Sequence, residues 1–292
     1  MLQNPRPLST CLFQAVSETL LTVAHDPRHL GADIGLLAVL HTWGQTLHHH
    51  PHLHCVIPGG GLSPDRPQWL SCRPTFFLPV RVLSRVLRRL FLTRLRQNHA
   101  EGRLTWTGHC HALAAPQPGQ QFLALLQHTE WVVYAKPPFG GPAHVLKYRA
   151  RSIHRVAIAN HRLLALDQGQ LTFQWKDYAH GNRQRTMTLD AVEFVRRFLL
   201  HVLPTGFQRI RHYGLLANRG RQATLVLCRS LLQWLRETPP GLQPAPAPQP
   251  RQEKPGGRCP ACQRGHMVWV ARLAPQPTPF AREPPPPSDD TS

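Results

Sequence analysis

Apolar residues recur at helical spacing at Leu12, Val16, Leu20 and Leu21, which predicts a first helix from about Ser9 to Ala24. A short apolar run from Ile34 to Trp43 follows, then a polar, histidine-rich corner. Next, Leu53, Cys55 and Ile57 alternate with His52, His54 and Val56 up to Gly59-Gly60-Gly61. This pattern predicts two strands joined by a loop, the second ended by glycines. From Val80 to Asn98 apolar positions (Val82, Val86, Leu90, Phe91) interleave with arginines, a basic amphipathic helix.

Further along, Trp131 to Ala135 reads as a strand, and Gly140-Gly141-Pro142 reads as a turn opening a helix from about Pro142 to Ile153. Arg155 to Ala159, Leu163 to Asp167 and Gln170 to Trp175 read as successive strands, with turns at Asn160 and Gln168-Gly169. Asp190 followed by Glu193 has the form of a capping box opening a helix to Leu203, and Arg221 to Arg236 reads as a last helix. The predicted class is α+β.

Proline changes the picture at the C-terminus. Of 30 prolines, 15 fall between Pro239 and the end, so that stretch is expected to be an extended, disordered tail around a small island at Cys259 to Val270. The predicted organisation is an N-terminal helix at 1–30, a core at 31–165, a C-terminal part at 166–238 and the tail at 239–292.

Charge narrows the partner. Lys and Arg number 34 against 15 Asp and Glu, a net charge of +19 with a pI near 11.1, which points to a polyanion rather than a small neutral substrate. Three segments are purely basic: eight arginines between Arg66 and Ala100, six Lys or Arg between Trp131 and Leu166, and eight arginines between Phe194 and Arg236, each without a carboxylate. The planar guanidinium fork suits phosphate oxygens. No run approaches the about 20 apolar residues of a membrane span. The seven cysteines, an odd number and mostly isolated, fit a reduced, cytoplasmic setting.

Two groups of residues could carry chemistry. On a strand, His52 and His54 project from one face while Leu53 and Cys55 enter the opposite, packed one, so the two imidazoles form half a metal site. His109-Cys110-His111 repeats the His-x-His spacing without a strand pattern around it. Tyr148 stands among Lys147, Arg149, Arg151 and Arg155, where cations favour the phenolate and hold a phosphate beside it. Cys259-Pro-Ala-Cys262, with His266, has the form of half a zinc knuckle and makes zinc possible there.

The run His41-Thr-Trp-Gly-Gln-Thr-Leu, then His50-Pro-His-Leu-His-Cys-Val-Ile-Pro-Gly-Gly-Gly-Leu62, then Val145-Leu-Lys-Tyr-Arg-Ala-Arg and His154 to Leu163, and finally Glu193 to Leu215, closely resembles the rolling-circle insertion-sequence transposases of the two-tyrosine HUH type. The resemblance spans about residues 12 to 235. It implies an antiparallel sheet flanked by helices, with the histidine pair on a central strand. It implies that His52 and His54 bind a divalent cation, magnesium or manganese. It also implies that Tyr148 cleaves single-stranded DNA at the element ends and keeps the 5′ phosphate, with Arg149, Arg151 and Arg155 on neighbouring phosphates. Two imidazoles underfill such a metal's shell, and His41 and His154 are the candidates for a third ligand.

Two departures from the resemblance stand out. The second tyrosine of the family lies one helical turn after the first, and here that position is Ser152. The cysteine-rich module that usually precedes the nuclease is expected to be absent, since only Cys11 is nearby. Either the chain nicks with Tyr148 alone, or it is a truncated, catalytically dead remnant that only binds DNA.

Overall fold

The computed structural model describes residues 1–65, 67–138, 157–178 and 180–237. Its centre is β1 (Gly35–Trp43), buried along nearly its whole length because it has a strand on either side. The sheet runs in the order β2-β1-β8, with β2 (His49–Val56) and β8 (Ile210–Gly214) both antiparallel to β1. A short hairpin of β3 (Gly60–Leu62) and β4 (Trp69–Ser71) follows β2.

Helix α1 (Pro5–His25) covers one face of this sheet, and Phe13, Leu20, Val23 and Ala24 pack with Leu36, Ala38 and Leu40 of β1. The helix starts four residues before the predicted Ser9 because proline is tolerated in a first turn, where its missing N–H has no partner to lose. Leu53 and Cys55 of β2 and Tyr213 of β8 join the same cluster. Helix α2 (Val80–Ala100) packs against α1, where the Arg94 guanidinium pairs with Glu18.

Helix α3 (Pro116–His128) lies in a segment whose two prolines read as punctuation. Both fall in its first turns, and Leu123 and Leu126 then close a small core with Leu92 and Leu95 of α2. The strand predicted at Trp131 to Ala135 is not formed. Val132 is 94% exposed and Tyr134 79%, and α2 side chains take the Trp131 carbonyl and that of Thr129 just before it. The Ser84 hydroxyl donates to the Trp131 carbonyl (2.6 Å) and Arg88 donates to that of Thr129 (2.9 Å).

A second antiparallel sheet has the order β5-β6-β7: β5 (Leu163–Asp167), β6 (Gln170–Asp177) and β7 (Arg183–Asp190). Strand β7 went unrecognised because it carries only two apolar side chains, Met187 and Leu189, on its inner face. Before β5, residues 157–159 are not strand, and Ala157 sits at φ 53°, which breaks the ladder predicted for Arg155 to Ala159. Helix α4 (Ala191–Leu199) is capped by Asp190, whose carboxylate accepts from the Val192 N–H. The capping box is not completed, because Glu193 turns to Arg196 and Arg197 instead. Phe194 and Phe198 of α4 pack with Phe173, Trp175 and Met187 around Leu47, the turn between β1 and β2. Helix α5 (Arg221–Glu237) is the last described element.

Strand β8 ends at Gly214, at φ 57°, and a Cβ there would collide with the Ile34 carbonyl. Gly206 also has a positive φ, 73°, but faces open space. Gly206→Ala should therefore cost only the left-handed backbone penalty of ~1–2 kcal/mol. Gly214→Ala should cost at least about 3 kcal/mol, since it also pushes β8 off β1. Urea unfolding of the two variants measures the difference, and equal losses would refute this account of the junction.

Candidate metal centre

The register of β1 and β2 decides which side chains meet. His41 stands directly opposite His52, and His54 opposite Val39, so all three imidazoles leave the sheet on the same face. Leu53 and Cys55 point the other way into the α1 core, and burial pushes the Cys55 thiol up to about 12. One potential ligand atom from each of His41, His52 and His54 lies within 4.8 Å of the others, and among the described residues this is the group that could hold a metal ion.

Hydrogen bonding fixes the imidazole of His52. Its Nδ1 lies 2.7 Å from the His50 carbonyl, which can only accept, so Nδ1 carries the proton and Nε2 presents its lone pair. That Nε2 is 3.0 Å from Nε2 of His54. Ligands bound side by side on one divalent cation lie about 3.0 to 3.3 Å apart, so this spacing lets both nitrogens reach the same ion. Imidazole nitrogen is a ligand for such cations. His41, almost fully buried, is held by stacking on Trp43, with ring centroids 4.6 Å apart and planes 14° from parallel. The Arg209 guanidinium lies 5.9 Å from the same indole.

The environment keeps the rings of His52 and His54 neutral, the form that binds metals. Burial lowers the pKa of His54 to about 4, helped by the nearby His52 and by Lys136. Burial also lowers that of His52, partly offset by its bond to the His50 carbonyl.

The turn that joins the two strands is tied down from outside. Three consecutive carbonyls accept side-chain donors: Gln45 from Arg162 (2.6 Å), Thr46 from Arg197 (3.3 Å) and Leu47 from Nε2 of His201 (3.1 Å). The Thr42 hydroxyl, 3.3 Å away, can then donate to the remaining His201 nitrogen, and burial lowers that imidazole's pKa. Leu47, at φ 61° and fully buried, holds this tight turn inside the second core.

Among the side chains singled out by sequence, His52 and His54 come together, and His41, one of the two candidates for a third ligand, joins them. Tyr148, Arg149, Arg151, His154 and Arg155 lie outside the described residues, as do Ser152, Cys259, Cys262 and His266. His109 and His111 sit exposed on a 3-10 turn and gather no other ligand among the described residues. Sequence reasoning missed Trp43, Lys136 and the three clamping side chains. Trp43 is the one with a visible signal, an aromatic two residues from His41 on the same face.

The family model described as "Putative transposase" (Y2_Tnp) matches residues 35–223, from the first residue of β1 into α5. The chain belongs to this transposase family. It is 53% identical over 272 residues to the "Putative transposase y4qJ" of Sinorhizobium fredii (strain NBRC 101917 / NGR234), covering 92% of this chain and 68% of that one. It is 23% identical over 248 residues to the "Transposase for insertion sequence element IS801" of Pseudomonas savastanoi pv. phaseolicola. That match covers 84% of this chain and 56% of the relative, so the chain spans little more than half of that protein's length. No solved structure matches. Among the described residues, no helix is long and apolar enough to cross a membrane.

The depressed pKa values give a pH dependence whose sign is fixed. His54 is harder to protonate folded than unfolded, so the unfolded chain takes up more protons as pH falls below about 6.5. This contribution to stability is fully present above about 6.5 and is lost as pH falls towards about 4. In chelator-treated buffer, His54→Asn should flatten the fall of the thermal midpoint across that window. Parallel curves for the two proteins would contradict the assignment.

Proposed function

We propose that the protein is a metal-dependent HUH transposase that nicks single-stranded DNA at the ends of its insertion sequence, in the cytoplasm. The observation that carries this reading is the convergence of His41, His52 and His54 on one face of the central sheet, in a chain of a transposase family. In this reading residues 31–165 hold the nuclease core, and 166–238 complete the transposase domain.

Each residue has a stated task. His52 and His54 hold a magnesium or manganese ion through Nε2, with His41 as the third ligand. When bound, that ion supplies Lewis-acid neutralisation of charge building on the scissile phosphate. The carbonyl of His50 keeps the His52 lone pair aimed at the centre, and the Trp43 stack keeps the ring of His41 from turning. The Tyr148 hydroxyl oxygen attacks phosphorus and gives up its proton. The bond from phosphorus to the 3′ oxygen breaks, and that oxygen takes a proton to become a 3′ hydroxyl. The 5′ phosphate stays on Tyr148 as a phosphotyrosine, so the bond energy is kept for strand transfer. Arg149, Arg151 and Arg155 hold the flanking phosphates.

Ser152 occupies the place of a second tyrosine, and an aliphatic hydroxyl is a far weaker acid than a phenol. The protein therefore nicks with one nucleophile. Labelled single-stranded DNA from the element end, incubated with protein and Mn2+, should give a protein-linked product on a denaturing gel. Chelator, Tyr148→Phe and the His52→Ala/His54→Ala double variant should each abolish it. His41→Ala should raise the half-saturating Mn2+ concentration at least about tenfold. An adduct that survives in Tyr148→Phe would remove Tyr148 as the nucleophile. DNA binding with no adduct under any condition would identify a catalytically dead remnant.

A further inference from the structure

The arginines of α2 divide into two sets. Arg94 pairs with Glu18 of α1, and Arg88 donates to the Thr129 carbonyl, so both are structural. Arg81, Arg85 and Arg89 are exposed, and among the described residues their side chains have neither a hydrogen bond nor an ion pair. They recur every four residues, which places successive guanidinium stems ~6 Å apart along the helix, within an arc of roughly 80°. Exposed Arg96 falls inside the same arc, about 22 Å along the helix from Arg81, but its guanidinium donates to the Gln127 side chain of α3. The helix carries no carboxylate at any position. Where the line begins, Phe76 and Val80 are exposed at 37% and 40%.

A solvated helix face normally mixes both signs of charge, and an unneutralised row of like charges costs stability unless something covers it. The covering partner must be anionic and extended, with charges repeating at a spacing similar to that of the stems. Planar guanidinium forks suit phosphate oxygens, and an exposed phenylalanine at one end offers a ring on which an unpaired base can stack. The segment after α3 gives the row a direction. It follows α2 from Arg88 through Ser84, its Val133 enters the core shared with Cys55, and its Lys136 comes close enough to His54 to act on it. The N-terminal end of the row and the histidine centre are therefore connected by one short stretch of chain.

We infer that the Arg81, Arg85 and Arg89 face of α2, with Phe76 at its head, is a second DNA-binding surface that tracks the backbone of single-stranded DNA flanking the nicked site. This surface binds phosphates without reading sequence and holds the strand whether or not it is cut. The inference rests on the reading of the protein as a single-strand nuclease for the identity of its ligand, but it does not require Tyr148 or a metal.

The test uses the full chain with chelator present, so that no cleavage enters it, and a thymidine homopolymer as the probe. The triple variant Arg81→Gln/Arg85→Gln/Arg89→Gln should bind the homopolymer at least about tenfold more weakly. Its logarithmic salt dependence should be shallower by about 2, since each phosphate contact on a single strand contributes about 0.7. A charge-matched control, Arg28→Gln/Arg103→Gln/Arg196→Gln, removes arginines already paired with Asp26, Glu101 and Glu193, and should leave the slope unchanged. Phe76→Ala should weaken homopolymer binding while leaving duplex binding as it was. Matching thermal midpoints for both triples exclude loss of fold as the cause. An unchanged slope in the α2 triple, or an equal fall in the control, would overturn the inference. An equal loss on duplex DNA would overturn its single-strand assignment. Homopolymer binding that follows these expectations in a protein that forms no adduct would separate this surface from the nuclease reading.

Discussion

The register between β1 and β2 is the constraint on which the site depends. Side chains alternate along a strand, so a slip of one residue would carry His52 and His54 into the α1 core and bring Leu53 and Cys55 out in their place. Two features resist such a slip. Leu53 and Cys55 are packed in the apolar core, and the connecting turn gives three successive carbonyls to Arg162, Arg197 and His201. Those donors come from the second sheet's leading edge, from α4 and from just beyond it. The second half of the chain thus holds the turn that aligns the histidines of the first half.

This arrangement gives the central sheet two different faces. The α1 side is apolar and supplies the burial that keeps β1, β2 and β8 together. The opposite side buries Leu37, Val39 and His41 and places three nitrogen donors side by side. Burying uncharged imidazoles is inexpensive compared with burying charged ones, and the low pKa of His54 is the consequence. A cation drawn to the centre would meet neutral ligands already oriented by a carbonyl and by an indole.

Much of this was legible in the sequence, and the gaps have physical causes. The β1 run, the alternation at His52 to Cys55 and the periodicity of α1 and α2 are local patterns, and local patterns predicted these elements within a few residues. The α+β class followed from these and later patterns, and the transposase resemblance from the motifs between His41 and Leu62, Val145 and Leu163, and Glu193 and Leu215. Strand β8 carries a histidine and an arginine among few apolar residues, and it became a strand only through pairing with β1, more than 170 positions earlier. The stretch from Trp131 to Ala135 has the composition of a strand but gives its first carbonyl to a side chain instead of a ladder. His41 was named only by motif proximity, beside His154, as a candidate third ligand. Its role depends on which residue of β2 lies opposite it, and no spacing within either strand encodes that.

The claim that the β1–β2 register builds one three-histidine cation centre is tested most directly by pulsed electron paramagnetic resonance of the Mn2+-loaded protein, which counts directly bound imidazole nitrogens. The account predicts three nitrogen couplings, falling to two in His41→Ala with the remaining pair unchanged. Two couplings in both proteins would remove His41 from the centre, and no nitrogen coupling at all would contradict the site itself.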